Sequence, residues 1–235
     1  MIPISDINPA VNTPYITRIF IFLTIGIYLI IQPKDSLELF NFFYEYSAIP
    51  CEVQNGHPLS ANQFYSNNCT AGVDYIIFEN KNIISSLVIA NFLHANLLHI
   101  IGNLWSFWIF GNNIEDKLGK IKYLFFLLFI GVISIVSHTF LNQESLVPIV
   151  GASGIVSGLM GAYVYMFPNA RLLVLVPFGF LFPTTIKAKF FMIFWFISQI
   201  FIALGDQNIS WEAHVGGFIF GYLLLRLFSK KRYNI

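Results

Sequence analysis

Apolar residues run along this chain in long unbroken blocks, without the strict alternation of a half-buried strand or the three-four spacing of a surface helix. Six blocks, at roughly 16–32, 92–111, 121–141, 149–167, 188–205 and 211–228, approach the roughly 20 residues that a helix needs to cross a bilayer core. A crossing segment must satisfy every backbone polar group internally, which a helix does. The second block belongs to a longer run, 83–112, whose first residues are expected to lie in the membrane interface. No small-residue cleavage site follows Gln32, so the first block reads as a retained helix rather than a signal peptide. The predicted fold class is an all-α membrane protein, a bundle of six transmembrane helices forming one domain over 1–235.

Composition agrees with this reading. Of 235 residues, 56% are hydrophobic and 11% charged, against about 25% charged in a soluble domain, which argues against an aqueous globule. A formal net charge of +1 suggests no nucleic-acid partner. The placement of the charges says more than their sum. Arg18, Lys117, Lys120, Lys122, Arg171, Lys187, Lys189, Arg226, Lys230, Lys231 and Arg232 all fall on one side of the six blocks, and only Lys34 and Lys81 fall on the other. Cytoplasmic loops hold the excess of Lys and Arg, so both termini are expected in the cytoplasm of a multi-pass protein of the plasma (inner) membrane. The 33–83 connection is then outside and holds both cysteines, Cys51 and Cys69. An oxidising compartment permits a disulfide there, and spacing alone leaves open whether the two are joined. Asn68-Cys69-Thr70 and Asn208-Ile209-Ser210 match the glycosylation pattern.

Strongly polar groups inside a span are costly and by default point to function. His94, His99 and Asn103 stand out in the second block, Ser153 in the fourth and His214 in the sixth. Both the fourth and sixth blocks enter from the outer face, so at ~1.5 Å per residue Ser153 lies roughly 6–10 Å below the outer rim with His214 level with it. Gly151, Gly154, Gly158, Gly161, Gly216, Gly217 and Gly221 line these two blocks, and small residues at such spacing let helix backbones approach closely in lipid. A serine hydroxyl is a weak nucleophile that a neutral imidazole within ~2.6–3.2 Å activates. His99 and Asn103, at i and i+4, share a helix face and offer donors to an oxyanion. Each residue alone has a structural explanation, since a serine in a span commonly bonds back to its own helix; it is the set that suggests chemistry. His57 and His138 are read as structural. A metal site built on His94, His99 and His214 is the competitor, disfavoured because His94 and His99 diverge by ~140° on one helix and no H-E-x-x-H spacing is present. A pore or transporter lacks the intramembrane chain of acids and bases it needs.

At these residues the chain resembles the rhomboid family of intramembrane serine proteases. His94-x4-His99-x3-Asn103, Gly151-x-Ser153-Gly154, Ala213-His214-x2-Gly217-x3-Gly221 and Gly111-x3-Glu115-x3-Gly119 are similar to that family's motifs, in order, over about 92–221. The resemblance implies a dyad in which Ser153 attacks the scissile carbonyl and His214 acts as base and then acid. It also implies an oxyanion hole from the backbone N–H of Ser153 with the side chains of His99 and Asn103, and supporting positions at His94 and Gly151. Substrates would be single-span membrane proteins cut near the outer face; the lipid bilayer is the other partner, and neither cofactor nor metal is implied. The chain departs from the family in having Ser85-Ser86 where many members have Trp-Arg. It has Ser157 where some place an aromatic residue beneath the histidine, so that a hydroxyl or Tyr163 would orient His214 instead. A water-filled cavity opening outward is expected, and Phe190, Phe191, Met192 and Trp195 of the fifth block are candidates for a lateral gate. A protein that binds membrane clients without cutting them is the alternative function.

Overall fold

The computed structural model describes residues 1–8, 10–178, 180–205 and 210–228, with 177, 178, 180, 200 and 202 described by backbone alone. Lys230, Lys231 and Arg232 of the charge count, and Asn208 and Ile209 of the second glycosylation match, lie outside the described residues. The molecule is mostly helical. Helix α1 (Tyr15–Gly26) runs on into a π turn (Ile27–Ile31). The 33–83 connection folds into α2 (Ser36–Tyr46), α3 (Pro50–Asn55) and α4 (Ala61–Ser66), and Cys51 and Cys69 are joined in a disulfide. Then follow α5 (Ile83–Ile89), α6 (Leu97–Leu118), α7 (Lys120–Leu141), α8 (Ser153–Met166), α9 (Ala188–Gly205) and α10 (Trp211–Phe228).

Among the described residues two helices, α7 and α9, are each long and apolar enough to cross a membrane, and α5 with α6, bent by 86° at the break between them, counts as a third if the pair is one span. By that measure the count falls short of the six spans expected. The bend has a local cause. The apolar run 83–112 gives no hint of a break, yet Leu93 turns extended after a 3-10 turn at Ala90–Phe92, and Asn96 caps α6 by accepting the His99 N–H at 2.9 Å. His94 therefore lies in the break before α6 and not within a helix.

The all-α expectation is corrected by a three-stranded antiparallel sheet in the order β1-β2-β3, made of β1 (Ile2–Asp6), β2 (Arg171–Phe178) and β3 (Phe180–Lys187). Leu172 and Val174, two apart on β2, are both fully buried, which is the strand period, but the apolar residues between them hide the alternation. The sheet ties the N-terminal segment to the connection between α8 and α9. On the opposite side, Ala48 bridges Ile149 and the Cys51 N–H donates to Ser145 O at 3.0 Å, tying the 33–83 connection to the one between α7 and α8.

The Gly111, Glu115, Gly119 motif is a helix junction. The Glu115 carboxylate, almost fully buried, accepts from the N–H of Ile16 and Thr17 and from Thr17 Oγ1 at 2.8–2.9 Å, placing negative charge on the otherwise unpaired N-terminus of α1. Gly119 takes φ +74° where α6 passes into α7, and a Cβ at Gly111 would stand 2.6 Å from Tyr123 Oη.

Candidate active site

Helices α8 and α10 meet backbone to backbone. A Cβ on Gly217 would stand 2.2 Å from Gly154 O, one on Gly221 2.1 Å from Gly158 O, and one on Gly161 2.1 Å from Phe218 O. Only glycine permits this approach, and the approach sets the distance between the side chains at the helices' entry ends. Ser153 is the first residue of α8 and His214 lies in the first turn of α10. His214 Nε2 stands 2.8 Å from Ser153 Oγ, both residues half-buried. The fourth apolar block was expected to be helical from residue 149; instead Gly151, at φ +116°, turns the chain just before the helix. The first N–H groups of α8, that of Ser153 among them, are left without intrahelical partners at this turn.

The other ring nitrogen, His214 Nδ1, donates to Gln199 Oε1 of α9 at 2.8 Å. This corrects the expectation of a hydroxyl or Tyr163. Ser157 Oγ donates back to Ser153 O at 2.8 Å, and Tyr163 Oη donates to Asp6 Oδ2 at 3.0 Å. Gln199 went unnoticed in the sequence, although an amide in the middle of an apolar block is a signal of the same kind as the five polar residues singled out.

Across Gly151 stand the donors. A Cβ there would be 2.6 Å from His99 Nε2 and 3.4 Å from Asn103 Nδ2. His99 Nδ1 accepts the Ala95 N–H at 3.4 Å, an arrangement that puts the ring proton on Nε2, toward Gly151. Asn103 Nδ2 is buried and, among the described residues, has no hydrogen-bond partner, an orphan donor beside Gly151. His94 is fully buried. Its backbone N–H and C=O pair reciprocally with the Gln32 amide at 2.9 Å, and its ring lies between Phe92 O and the Ala152 N–H, at 3.3 and 3.5 Å. It packs edge-on to His99 at 5.0 Å, so the divergence argued for two residues of one helix does not apply. Among the described residues no group of three His, Cys, Asp or Glu side chains is arranged to hold a metal ion.

Of the expected gate residues, Phe191 and Met192 are buried in the core, Phe190 is exposed, and Trp195 stacks on Phe218 at 5.5 Å. His57 contacts Pro58 O, and His138 Nδ1 donates to Glu212 at 2.9 Å.

The model of the Rhomboid domain matches residues 81–231. The chain belongs to the rhomboid family. It is 28% identical over 155 residues to a rhomboid protein of Acanthamoeba polyphaga mimivirus, covering 64% of this chain and 79% of that one. It is 36% identical over 137 residues to the rhomboid protease GlpG of Yersinia pseudotuberculosis, covering 57% and 44%. To the mitochondrial presenilin-associated rhomboid-like protein A of Danio rerio it is 32% identical over 139 residues, covering 57% and 35%. The match thus spans less than half the length of the last two. The family is one of integral membrane proteases, and the apolar helices are consistent with a membrane setting.

Proposed function

We propose that this rhomboid is an intramembrane serine endopeptidase working through a Ser153–His214 dyad. The observation that carries the reading is the 2.8 Å separation of Ser153 Oγ and His214 Nε2. As Oγ attacks the scissile carbonyl carbon, Nε2 takes its proton. The carbonyl oxygen, now an anion, receives hydrogen bonds from the Ser153 N–H, His99 Nε2–H and Asn103 Nδ2. The tetrahedral intermediate collapses, His214 gives its proton to the leaving amine, and an ester remains on Ser153. Water, deprotonated by His214, then hydrolyses the ester and regenerates the dyad. His94 holds the Ala152 segment and Gly151 leaves room for the donors.

The reading extends to the membrane. One domain over 1–235 crosses six times, with α1, α5–α6, α7, α8, α9 and α10 as the crossings, both termini in the cytoplasm of the plasma (inner) membrane, and the 33–83 module outside. The Lys and Arg distribution supports this. So do the pairing of β1 with β2, which requires the N-terminus and the α8–α9 connection to share a face, and the disulfide, which suits an oxidising outer side. Substrates are single-span proteins cut near the outer face from a wet cavity, with α9 as the gate.

The test is cleavage of a generic single-span reporter in detergent by wild type, Ser153→Ala and His214→Ala. Cleavage by wild type alone is expected. Equal cleavage by all three removes the dyad, and none by any favours client binding without hydrolysis.

A further inference from the structure

We infer that Gln199 is a positioning residue for His214, so that the site works as a relay of three side chains from three helices: Ser153 on α8, His214 on α10 and Gln199 on α9. The inference rests on the proposed proteolysis and deepens it.

An imidazole can serve as base at Nε2 only if its proton sits on Nδ1. A neutral ring needs an acceptor at Nδ1 to hold that tautomer, and the described residues supply one: Gln199 Oε1 at 2.8 Å. An amide can present either end, and here its orientation is decided by its own helix. Gln199 Nε2 is directed at Trp195 O, 3.5 Å away, and at Ser198 Oγ, 3.4 Å away, while Ser198 Oγ donates to Trp195 O at 2.5 Å. With both Nε2 contacts on α9, the oxygen is the end left to face the imidazole. Gln199 is 4% exposed, so water does not readily replace it. The consequence reaches beyond tautomer choice. His214 is held from α9, and any displacement of α9 that admits a substrate would also lengthen the Gln199–His214 bond. Base strength and α9 position are thereby coupled.

The experiment compares wild type, Gln199→Met and Gln199→Glu in reporter cleavage, with Ser153→Ala as the blank and thermal unfolding in detergent as the folding control. Methionine matches the shape and removes the acceptor; a fall in kcat on the order of tenfold is expected with KM unchanged, the factor one hydrogen bond supplies. Glutamate restores the acceptor, and kcat at or above wild type is expected. A methionine variant within twofold of wild type overturns the inference while leaving the dyad intact. So does a glutamate variant as impaired as the methionine one, which marks a packing role. If methionine prevents folding, glutamate decides through its pH profile: a carboxylate accepting from Nδ1 favours the protonated imidazole, so the acid limb of kcat is expected to move to higher pH, and an unmoved limb marks a packing role and overturns the inference. Wild-type cleavage no greater than the Ser153→Ala blank overturns the dyad and this inference together.

Discussion

A Cβ added to Gly151 would stand 2.6 Å from Nε2 of His99. The same backbone holds φ +116°, where an L side chain is strained. Gly151→Ala is therefore penalised twice, once in the turn that starts α8 and once in the donor it displaces. Reporter cleavage is expected to disappear while the variant still purifies as a folded protein. A variant cleaving at wild-type rate would mean that His99 has room to retreat and that its position near the serine is incidental.

Asn103 presents a buried donor with no partner among the described residues. Leaving a donor unpaired costs free energy, which is recovered when an oxyanion forms beside it. Asn103→Ala should lower kcat by about a hundredfold to a thousandfold with little change in KM, since removal of one such donor is worth about 2.7–4 kcal/mol. Stability should rise slightly or stay level. Steady-state kinetics and a melting curve on one preparation check both halves.

The glycine contacts between α8 and α10 make a sharper stability prediction because identical chemistry has opposite signs at two sites. At Gly217 an added methyl meets Gly154 O at 2.2 Å, and backbone cannot step aside. At Gly102, exposed in α6, it meets nothing within 4 Å. Gly217→Ala is expected to cost about 1–3 kcal/mol or more and to abolish cleavage by parting Ser153 from His214. Gly102→Ala should stabilise by about 0.5–1 kcal/mol. Unfolding in detergent of both variants beside wild type tests the pair.

Much of this site was legible in the sequence because its determinants are local. Ser153 beside Gly151 and Gly154, and His214 ahead of Gly217 and Gly221, carry the close approach and the candidate dyad in adjacent letters. What escaped reading depends on partners far away in the chain or on breaks inside apolar runs. His94 was assigned to a span because 83–112 is apolar on both sides of the turn that Asn96 caps. The β2–β3 hairpin reads in the sequence as a plain connection because the apolar run bracketed by Arg171 and Lys187 shows no alternation. Gln199 was passed over because its partner is 15 residues away on another helix. Glu52 and Lys81, counted only as charges, are a buried pair at 2.5 Å in the 33–83 module. Burial pushes the Glu52 carboxyl up and the Lys81 ammonium down, each against the pull of the other.

That module is also closed by Cys51 and Cys69, 18 residues apart. Cross-linking a loop of this size restricts the unfolded chain by about 3 kcal/mol. The Cys51→Ser/Cys69→Ser double variant, or wild type under reductant, should melt earlier by that amount. Cleavage should persist below the transition, because the contacts of the two sulfurs are with Asn55, Cys69 O and Gln143 O of the 33–83 and α7–α8 connections. Loss of activity with an unchanged melting curve would assign the module a direct part in substrate handling.

At the other end of the molecule Asp6 links β1 to the helices, its Oδ2 accepting from Tyr163 Oη at 3.0 Å and Asn113 Nδ2 at 2.6 Å. Burial raises its carboxyl from 3.8 to about 6, outweighing the opposing pull of those hydrogen bonds. The folded protein thus keeps a proton on Asp6 that the unfolded chain releases near pH 3.8. Because the folded value is the higher one, the associated stability is complete below about 3.8, declines as pH rises, and is gone above about 6. Asp6→Asn keeps an oxygen that can accept from Tyr163 and carries no charge to bury. Melting temperatures of wild type and variant should nearly coincide at a pH below about 3.8, and the variant should melt higher at pH 7.5. Parallel curves across that range, or a variant that is less stable at pH 7.5, would mean that the charged carboxylate is the form the β1 junction prefers.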